Sequence, residues 1–472
     1  MSSRSKAVPL VIALFALLLC AGPAAAETYT VTRTDDPVPG ACEPADCSLR
    51  EALMAANGTT AVDDIVVVPA SASPYLLQYE MLYLPISDEV EVRGAGADKT
   101  VVKGNGEESI FGTFSNRSVL SGLTIAGGQA AIQNSSGELI VRGVSIEGNR
   151  WNGGTAGIIS NGPVTVESSF LGFNRTENVS GGVIFANAPV TVVNSTIAHN
   201  TSEKGLGAIS GNSSVTLVNS AVVSNRSEAA SMAAVGGTPL TVRNSVFADN
   251  RDAGGLLNCI STGPLTSFGG NVSDDGSCGA GGGDKPNVNP LLGPLELHGG
   301  TTRVFSLLAG SPAIDAAQQC PAVDQRGVPR PQGSPCDSGP YEFAAPPSPP
   351  PGDSEFAMKV GKKLRLTKKR VIRVPLTCPA SEVSPPCRGR VRIGNLPLRF
   401  DGPHTLQMRF LSARFSIPAG KTKAVAVKSP RSTRIHLPTE RGTWKVLLRV
   451  AAEDAAGNKW EVRKKRARLI RR

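Results

Sequence analysis

Aromatic residues are scarce in this chain of 472 residues, because phenylalanine, tyrosine and tryptophan together account for only 5% of the sequence. Glycine is abundant by contrast, with 51 residues. A core with few rings cannot depend on aromatic packing. We therefore expect a core of aliphatic and small side chains connected by many short turns.

Long apolar runs are also missing, except at the N-terminus. There Arg4 and Lys6 precede the apolar run Val8–Leu19, and the small residues Ala24–Ala26 follow it. This order is typical of a secretory signal peptide, which we assign to residues 1–26. No later segment approaches the ~20 apolar residues that a membrane span requires. We expect a secreted, extracellular protein, either free or associated with the cell envelope, whose mature form has no transmembrane segment.

The cysteines lack the spacing of a metal site, since none has a histidine or a close CxxC partner. Cys20 follows the bulky Leu19, whereas lipid-attachment signals require a small residue there, so lipidation is disfavoured. The other eight cysteines fall into sequence-local pairs, as expected in an oxidising compartment. We predict the disulfides Cys42–Cys47, Cys259–Cys278, Cys320–Cys336 and Cys378–Cys387, and neither a metal nor a cofactor.

Charge is divided unevenly along the chain. The net charge is about −14 over residues 27–352 and about +22 over residues 353–472. The proline-rich segment APPSPPPGD cannot continue a sheet and indicates an extended linker, residues 344–355. Two domains with different partners are expected, one on each side of this linker.

The middle of the first domain contains an internal repeat. Five segments align without gaps, and each closes on an asparagine; they are LIVRGVSIEGN (ending at Asn149), VTVESSFLGFN (Asn174), VTVVNSTIAHN (Asn200), VTLVNSAVVSN (Asn225) and LTVRNSVFADN (Asn250). A period of about 25 residues is typical of solenoid coils. Apolar residues alternate over short stretches, which predicts about three short strands per coil, each paired in parallel with the next coil. We predict an all-β fold, a right-handed parallel β-helix over residues 27–343.

Two smaller patterns fit this fold. Asn194, Asn219 and Asn244 occupy one column at a turn, where asparagine tolerates a left-handed backbone and stacked amides can join coils. Near the N-terminus, Ser48-Leu49-Arg50-Glu51 is a capping box that predicts a helix through about Ala56. Its apolar face would cover the otherwise bare edge of the first coil.

CSLREALMAAN (Cys47–Asn57) resembles the CSLREA motif of secreted bacterial repeat proteins. The segment Phe268–Phe343 resembles the end region of choice-of-anchor β-helix proteins. It includes the stretches FGGNVSDDGSC, GSPAIDAA, DQRGVPRPQG and CDSGPYEF. Ser338-Gly339-Pro340 differs from the Ile-Gly-Ala usual in that family. In the resembled family the segment after the β-helix varies and often anchors the protein.

Residues 356–472 alternate in the manner of strands, as in VIRVPLTC and TWKVLLRVAAED, and predict a small β-sandwich. AEDAAGNKW (Ala452–Trp460) resembles the strand-turn-strand ending of bacterial immunoglobulin-like modules. The positive charge of this domain is concentrated in Lys362-Lys363, Lys368-Lys369-Arg370 and Arg463-Lys464-Lys465-Arg466. An exported basic module should adhere to anionic polysaccharide or cell-envelope polymer in a salt-sensitive way, and export makes nucleic acid an unexpected partner.

Enzymes built on β-helices require particular side chains that the repeat does not supply. Calcium-dependent lyases require several converging carboxylates with a basic residue, and inverting hydrolases require paired acids. The column of His199, Ser224 and Asp249 places serine in the middle, whereas nucleophilic catalysis requires histidine between serine and acid. Asp35-Asp36 and Asp274-Asp275 are interpreted as turn residues rather than calcium ligands. Asp324 and Arg326 are expected to form an internal ion pair.

A column of arginines follows the closing asparagines and is called here the arginine strip: Arg150, Arg175, Arg226 and Arg251, with Thr201 between the second and third. Glu177, Glu203 and Glu228 lie two positions further along. The strip is either a surface salt-bridge ladder or a site for carboxylated or sulfated polysaccharide, with the arginines as bidentate ligands. We expect a non-catalytic binding or adhesion role towards glycans or envelope surfaces; the alternative is a carbohydrate-active enzyme, a polysaccharide lyase or glycoside hydrolase.

Overall fold

The computed structural model describes residues 26–59, 63–79, 83–279, 281–333, 335–344, 358–361, 363–367, 371–380, 386–395, 410–428, 442–453 and 459–471. Most of the predicted signal peptide and most of the predicted linker lie outside the described residues. The chain divides after Ala344 into two compact units. Among the described residues, no helix is long and apolar enough to cross a membrane.

The first unit is a parallel β-solenoid, built mainly from three sheets of ten, nine and eight strands, here called sheets A, B and C. Along the chain, each coil adds one strand to sheet A, then one to sheet B and then one to sheet C. Within sheet A, Val164 is paired with Val190, which is paired in turn with Val215. The predicted stacking of successive coils in parallel is therefore confirmed.

The strands of these sheets are short. Sheet A consists of Thr28–Thr30, Asp64–Val68, Val90–Gly94, Arg117–Ser121, Glu138–Arg142, Val164–Glu167, Val190–Val193, Val215–Val218, Leu240–Arg243 and Leu265–Ser267. Sheet B consists of Tyr75–Leu76, Val101–Lys103, Thr124–Ala126, Ser145–Glu147, Phe170–Gly172, Thr196–Ala198, Ala221–Val223, Val246–Ala248 and Val272–Ser273. Sheet C consists of Leu84–Ile86, Phe111–Thr113, Ile132–Asn134, Ile158–Ser160, Ile184–Ala186, Ile209–Gly211, Val235–Gly237 and Cys259–Ser261.

A fourth sheet, sheet D, lies between sheets B and C in the later coils. Its strands are Arg150–Asn152, Arg175–Glu177, Thr201–Ser202, Arg226–Ser227, Arg251–Asp252 and Gly255–Leu256, the last of them antiparallel. These coils thus carry four strands rather than about three. The inward positions of sheet D hold Thr176, Ser202 and Ser227, so the apolar alternation on which the sequence analysis relied is absent there.

The interior of the solenoid is aliphatic. In sheet A, Val190 and Val192 are buried while Thr191 and Val193 are partly exposed, which is the alternation of a strand with one inward face. The inward residues of sheets A, B and C form one continuous core cluster. Direct stacking of like side chains on successive coils thus produces the core expected from the composition.

Buried asparagines join the coils at the turn before sheet D. The side chain of each closing asparagine donates a hydrogen bond to the side-chain oxygen of the next one, at 3.0 Å from Asn149 to Asn174 and 2.9 Å from Asn200 to Asn225. The same oxygen also accepts the backbone N–H of the preceding asparagine. The residues that marked the repeat in the sequence therefore form a buried amide ladder.

The other asparagine column has the predicted left-handed backbone, with φ of 47°, 45° and 50° at Asn194, Asn219 and Asn244. Asn244 donates to the side chain of Asn219. Asn194 and Asn219 donate instead to the backbone oxygens of Val323 and Asp337. This column consequently holds the end region of the unit as well as joining coils.

Residues 285–343, called here the end region, are the later part of the stretch Phe268–Phe343 and pack along the outer face of sheet B. It contains the antiparallel strands Leu292–Glu296 and Val304–Leu307. Phe305 and Leu307 join a second core cluster with outward-facing residues of sheet B, such as Phe170 and Val223. The predicted ion pair of Asp324 with Arg326 is present at 2.6 Å.

The N-terminal part of the unit contains one α-helix, Leu49–Ala56, the single helix among the described residues. The Ser48 side chain accepts a hydrogen bond from the backbone of Glu51, and the Glu51 carboxylate accepts one from the backbone of Ser48, so the predicted capping box is present. Arg50 forms a buried ion pair with Asp36 at 2.8 Å.

The second unit is a sheet of eight strands around its own core cluster. The strands are Lys359–Val360, Lys363–Leu366, Val371–Thr377, Cys387–Asn395, Phe410–Ile417, Thr422–Lys428, Gly442–Glu453 and Lys459–Arg471. Most pairings are antiparallel, whereas Lys363–Leu366 pairs in parallel with the last strand. All four predicted disulfides are present, three in the first unit and Cys378–Cys387 in the second.

Candidate functional site

The arginine strip lies on sheet D, in the order expected from the repeat. Arg150 is paired with Arg175, Arg175 with Thr201, Thr201 with Arg226, and Arg226 with Arg251. Side chains in one such column lie about 4.8 Å apart along the solenoid. Four guanidinium groups therefore lie in one column across the strands of sheet D.

Carboxylates neutralise most of the strip. Glu177 accepts from Arg150 at 2.7 Å and from Arg175 at 2.6 Å. Arg175 also contacts Glu203 and Glu228, at 3.1 and 3.2 Å. The guanidinium groups of Arg175 and Arg150 lower the pKa of Glu177, so this carboxylate stays charged. A ligand would have to displace these internal partners.

The last two arginines of the strip differ from each other in their partners. Arg251 is bound by Asp249, two residues earlier, at 2.8 Å. Arg226 is exposed and forms no ion pair with any described residue. The geometry thus corresponds to a surface salt-bridge ladder, in which Arg226 is the one arginine of the strip without an ion pair to a described residue.

The His199, Ser224 and Asp249 column lies beside the strip but has the geometry of a turn. All three residues have a left-handed backbone, with φ between 52° and 57°. Ser224 donates to Asp249 at 3.2 Å, whereas the His199 ring stacks on Phe173, with ring centres 5.2 Å apart. In nucleophilic catalysis the serine hydroxyl must donate its hydrogen bond to a histidine ring nitrogen rather than to an acid. The column therefore lacks the arrangement needed for nucleophilic catalysis.

Acidification should reveal the packing of His199. Burial lowers the pKa of His199 below its ordinary value of 6.5, and Asp249 opposes this shift. Below pH 6.5 the unfolded chain consequently binds the proton more readily than the folded chain, so stability falls as the pH falls. We expect His199→Phe, which can still stack on Phe173, to lose this part of the pH dependence. Urea unfolding at about pH 5 and about pH 7.5 measures it; identical pH dependence in both proteins would contradict the assignment.

The acidic pairs Asp35-Asp36 and Asp274-Asp275 accept hydrogen bonds from nearby backbone N–H groups and side chains. Asp36 binds Arg50 and accepts the backbone N–H groups of residues 78 and 79. Asp275 accepts from the backbone of Asn258 and from Ser277. Among the described residues no group of three or more histidine, cysteine or acidic side chains is placed to hold a metal ion.

The second unit carries a basic surface that the sequence analysis did not name. Most of the basic clusters named in the sequence lie outside the described residues. These are Lys362, Lys368-Lys369-Arg370 and the side chains of Arg463-Lys464-Lys465-Arg466. The described basic residues include Arg388, Arg390 and Arg392, at every second position of one strand. Alternation puts these three on one face. In the sequence, the run RGRVRI indicates this face by alternation alone, since it contains no adjacent basic residues.

Like charges meet directly on this surface. Arg390 is paired with Arg414 on the neighbouring strand, and Arg392 is paired with Arg449 on the other side. Arg449 binds Glu461 at 2.5 Å, which is the one ion pair among the described residues of the second unit. Most cations of the first unit's arginine strip are paired, whereas most described cations of the second unit form no ion pair with another described residue.

Neither the comparison with protein-family models nor the search of curated proteins found a match to this chain.

Proposed function

We propose that the chain is an extracellular, non-catalytic binding protein, whose β-solenoid is held at anionic surfaces by its basic second unit. The charge arrangement is the observation that carries this proposal. Residues 353–472 carry a net charge of about +22, and most of the described arginines there form no ion pair with another described residue. This excess of positive charge can attract an external polyanion.

Several features support the extracellular part of the proposal. Four disulfides are typical of an oxidising compartment. The signal-peptide pattern of residues 1–26 and the CSLREA and choice-of-anchor resemblances point the same way. On this proposal the solenoid is a right-handed β-helix whose first coil is covered by the helix Leu49–Ala56, and the second unit folds as an immunoglobulin-like sandwich.

Salt-dependent retention tests the attachment role. We expect the full chain to bind sulfated-dextran beads at low ionic strength and to elute as salt is raised, because exposed charges are screened. A chain that ends at Ala344 keeps the core clusters of the solenoid but loses the strongly basic second unit, and it should pass through. Plain dextran beads are the control. Equal retention of the shortened chain would refute the role of the second unit.

The alternative, a carbohydrate-active enzyme, is tested separately. Incubation with polyuronate or glycosaminoglycan should give no shortened products. Turnover that is lost in Arg226→Ala or His199→Ala would replace the binding proposal with a catalytic one.

A further inference from the structure

Five threonines form a column on the outer face of sheet A. They are paired across successive strands in the order Thr165, Thr191, Thr216, Thr241 and Thr266. All are at least partly exposed, and none of their hydroxyl groups forms a hydrogen bond with a described residue. Threonine is common in strands because its branched side chain suits a pleated surface, so the column alone does not define a site. It does present hydroxyl groups at intervals of about 4.8 Å.

Arg243 lies on the same face, two residues after Thr241. Its guanidinium group forms no ion pair or hydrogen bond with a described residue, and its Nε is buried without a partner. The two terminal nitrogens are not buried, so solvent reaches them. Glu80 is the one acidic residue of the first unit outside the described residues. In the sequence it stands between the first strands of sheets B and C, whereas Arg243 is on the last strand but one of sheet A.

Another arginine of the same column has the partner that Arg243 lacks. Arg142 lies opposite Glu167, and the two form an ion pair at 2.8 Å. Further along this column, Arg243 lies opposite Val218. On its other side is Phe268, whose backbone N–H donates to the strand of Arg243 at 2.9 Å. Neither valine nor phenylalanine can neutralise a guanidinium group, so a counter-charge at Arg243 has to come from a ligand.

Phe268 adds an apolar surface beside this charge. Ser267 is paired with the buried Val242 and therefore points inward, which puts Phe268 on the outer face with Arg243. The Phe268 side chain is 69% exposed, and no aromatic ring or cation of the described residues packs against it. An exposed aromatic ring is a flat surface on which a ring-shaped ligand can pack.

The spacing of these groups suits a sugar ring with one carboxylate. Neighbouring coils are about 4.8 Å apart and residues two apart on a strand about 7 Å, so a ring on Phe268 reaches Arg243 and the hydroxyl groups of Thr241 and Thr266. A guanidinium group binds one carboxylate in a bidentate manner. A heavily sulfated chain brings more charges than this face can match, and a peptide carboxylate leaves the threonine hydroxyl groups unused.

We propose that this face of sheet A binds a saccharide that contains a uronic acid, a sugar ring with one carboxylate. Arg243 binds the carboxylate, Phe268 packs against the sugar ring, and Thr241 and Thr266 form hydrogen bonds with its hydroxyl groups. The inference goes beyond the attachment role, because it gives the solenoid a ligand of its own and does not depend on the second unit.

Calorimetric titration of the full chain with trigalacturonate tests this site, in about 0.15 M salt to screen the charge of the second unit. We expect saturable binding and no binding of neutral maltotriose. Arg243→Gln should lower the affinity about tenfold or more, because hydrogen bonds between charged groups are the strong ones. This substitution removes no internal hydrogen bond of the guanidinium group, so Tm should not fall. Full affinity in Arg243→Gln would overturn the proposal.

Matched variants separate the site from general charge. Arg142→Gln removes the same charge from the same column but should stay within about twofold, because Arg142 already has a partner. Thr241→Val should lower the affinity about threefold, whereas Thr165→Val, three coils away, should not change it. Phe268→Ala removes an exposed ring, so the protein stays folded, and the affinity should fall about tenfold. The proposal is wrong if both members of either matched pair have the same effect.

Other ligands test the saccharide assignment. Triglutamate and a sulfated disaccharide should each bind about tenfold more weakly than trigalacturonate, since neither combines one carboxylate with a hydroxylated ring on this face. If triglutamate binds as tightly as trigalacturonate and equally depends on Arg243, the site recognises acidic peptides and the saccharide assignment is wrong.

The outcomes also separate this site from the attachment role. Arg243→Gln should be retained on sulfated dextran as strongly as the original protein, since its second unit is unchanged. If the full chain is retained on the beads but does not bind trigalacturonate, the site on sheet A is refuted and the attachment role stands. If it binds trigalacturonate but is not retained, the attachment role alone is wrong.

Discussion

Replacement of Asn200 by leucine should lower the free energy of unfolding of the solenoid by about 3–6 kcal/mol, since buried polar groups left without partners cost about 1–3 kcal/mol each. The Asn200 side-chain oxygen accepts from the backbone and the side chain of Asn174. Its amide donates to the Leu171 carbonyl at 3.0 Å and to Asn225 at 2.9 Å. Leucine has a similar volume but can satisfy none of these groups.

The matched control is Asn187, which belongs to an exposed amide ladder. Asn187 donates to Asn161 and accepts from Asn212, both at 2.8 Å and all at the surface. Asn187→Leu should cost less than about 1 kcal/mol, because water replaces the lost partners. Urea unfolding compares the two variants, and amide hydrogen exchange should show the largest loss of protection in the coils next to Asn200. Equal destabilisation by both variants would show that the buried ladder has no special role.

Glu342→Gln should destabilise the first unit by about 3–5 kcal/mol, the usual cost of leaving a buried charge without its partner. Arg330 binds Glu342 at 2.9 Å, and each side chain is only 1% exposed. Burial lowers the pKa of Arg330, and Glu342 is the largest of the influences that oppose this shift. Without the carboxylate, the guanidinium stays buried among the carbonyl groups of residues 337 and 339.

The loss of stability in Glu342→Gln should first affect the end region rather than the whole first unit. The pair ties the end region together, and that region covers the outward apolar face of sheet B. Glu342→Gln should therefore increase the binding of a hydrophobic dye and expose residues 285–343 to protease before the coils unfold. Glu167→Gln breaks the exposed pair with Arg142, whose side chains are 36% and 57% exposed, and should cost less than about 1 kcal/mol. The interpretation is wrong if the two substitutions have the same effect.

Local patterns were sufficient for the coil itself. The spacing of the closing asparagines predicted which residues stack, and the alternation around Val190 and Val192 predicted which face inward. The capping box at Ser48 and the four local disulfides also followed from spacing along the chain. Each of these features depends on residues that are close in sequence or repeat at a fixed interval.

Other features could not be predicted in this way. The sequence contains two asparagine columns, and the one that ended each repeat, rather than the one at Asn194, forms the continuous buried ladder. The end region was predicted from a resemblance of its motifs, which remains a prediction, and its docking on sheet B depends on hydrogen bonds such as Asn194 to Val323, 129 residues apart. Nothing in either segment alone indicates the other.

The amino-acid sequence by itself determined that the first unit is a stack of parallel coils, because segments that repeat every 25 residues or so place equivalent strands on top of one another in the same direction. Within each strand, the inward side chains follow from the alternating pattern. Only the tertiary structure decided which charged side chains are neutralised by an opposite charge and which face a like charge. Arg175 is neutralised by glutamates as far away in the chain as Glu228, while Arg390 is placed opposite another arginine. Electrostatic interaction depends on distance in space, which the coils and sheets set and the spacing along the chain does not.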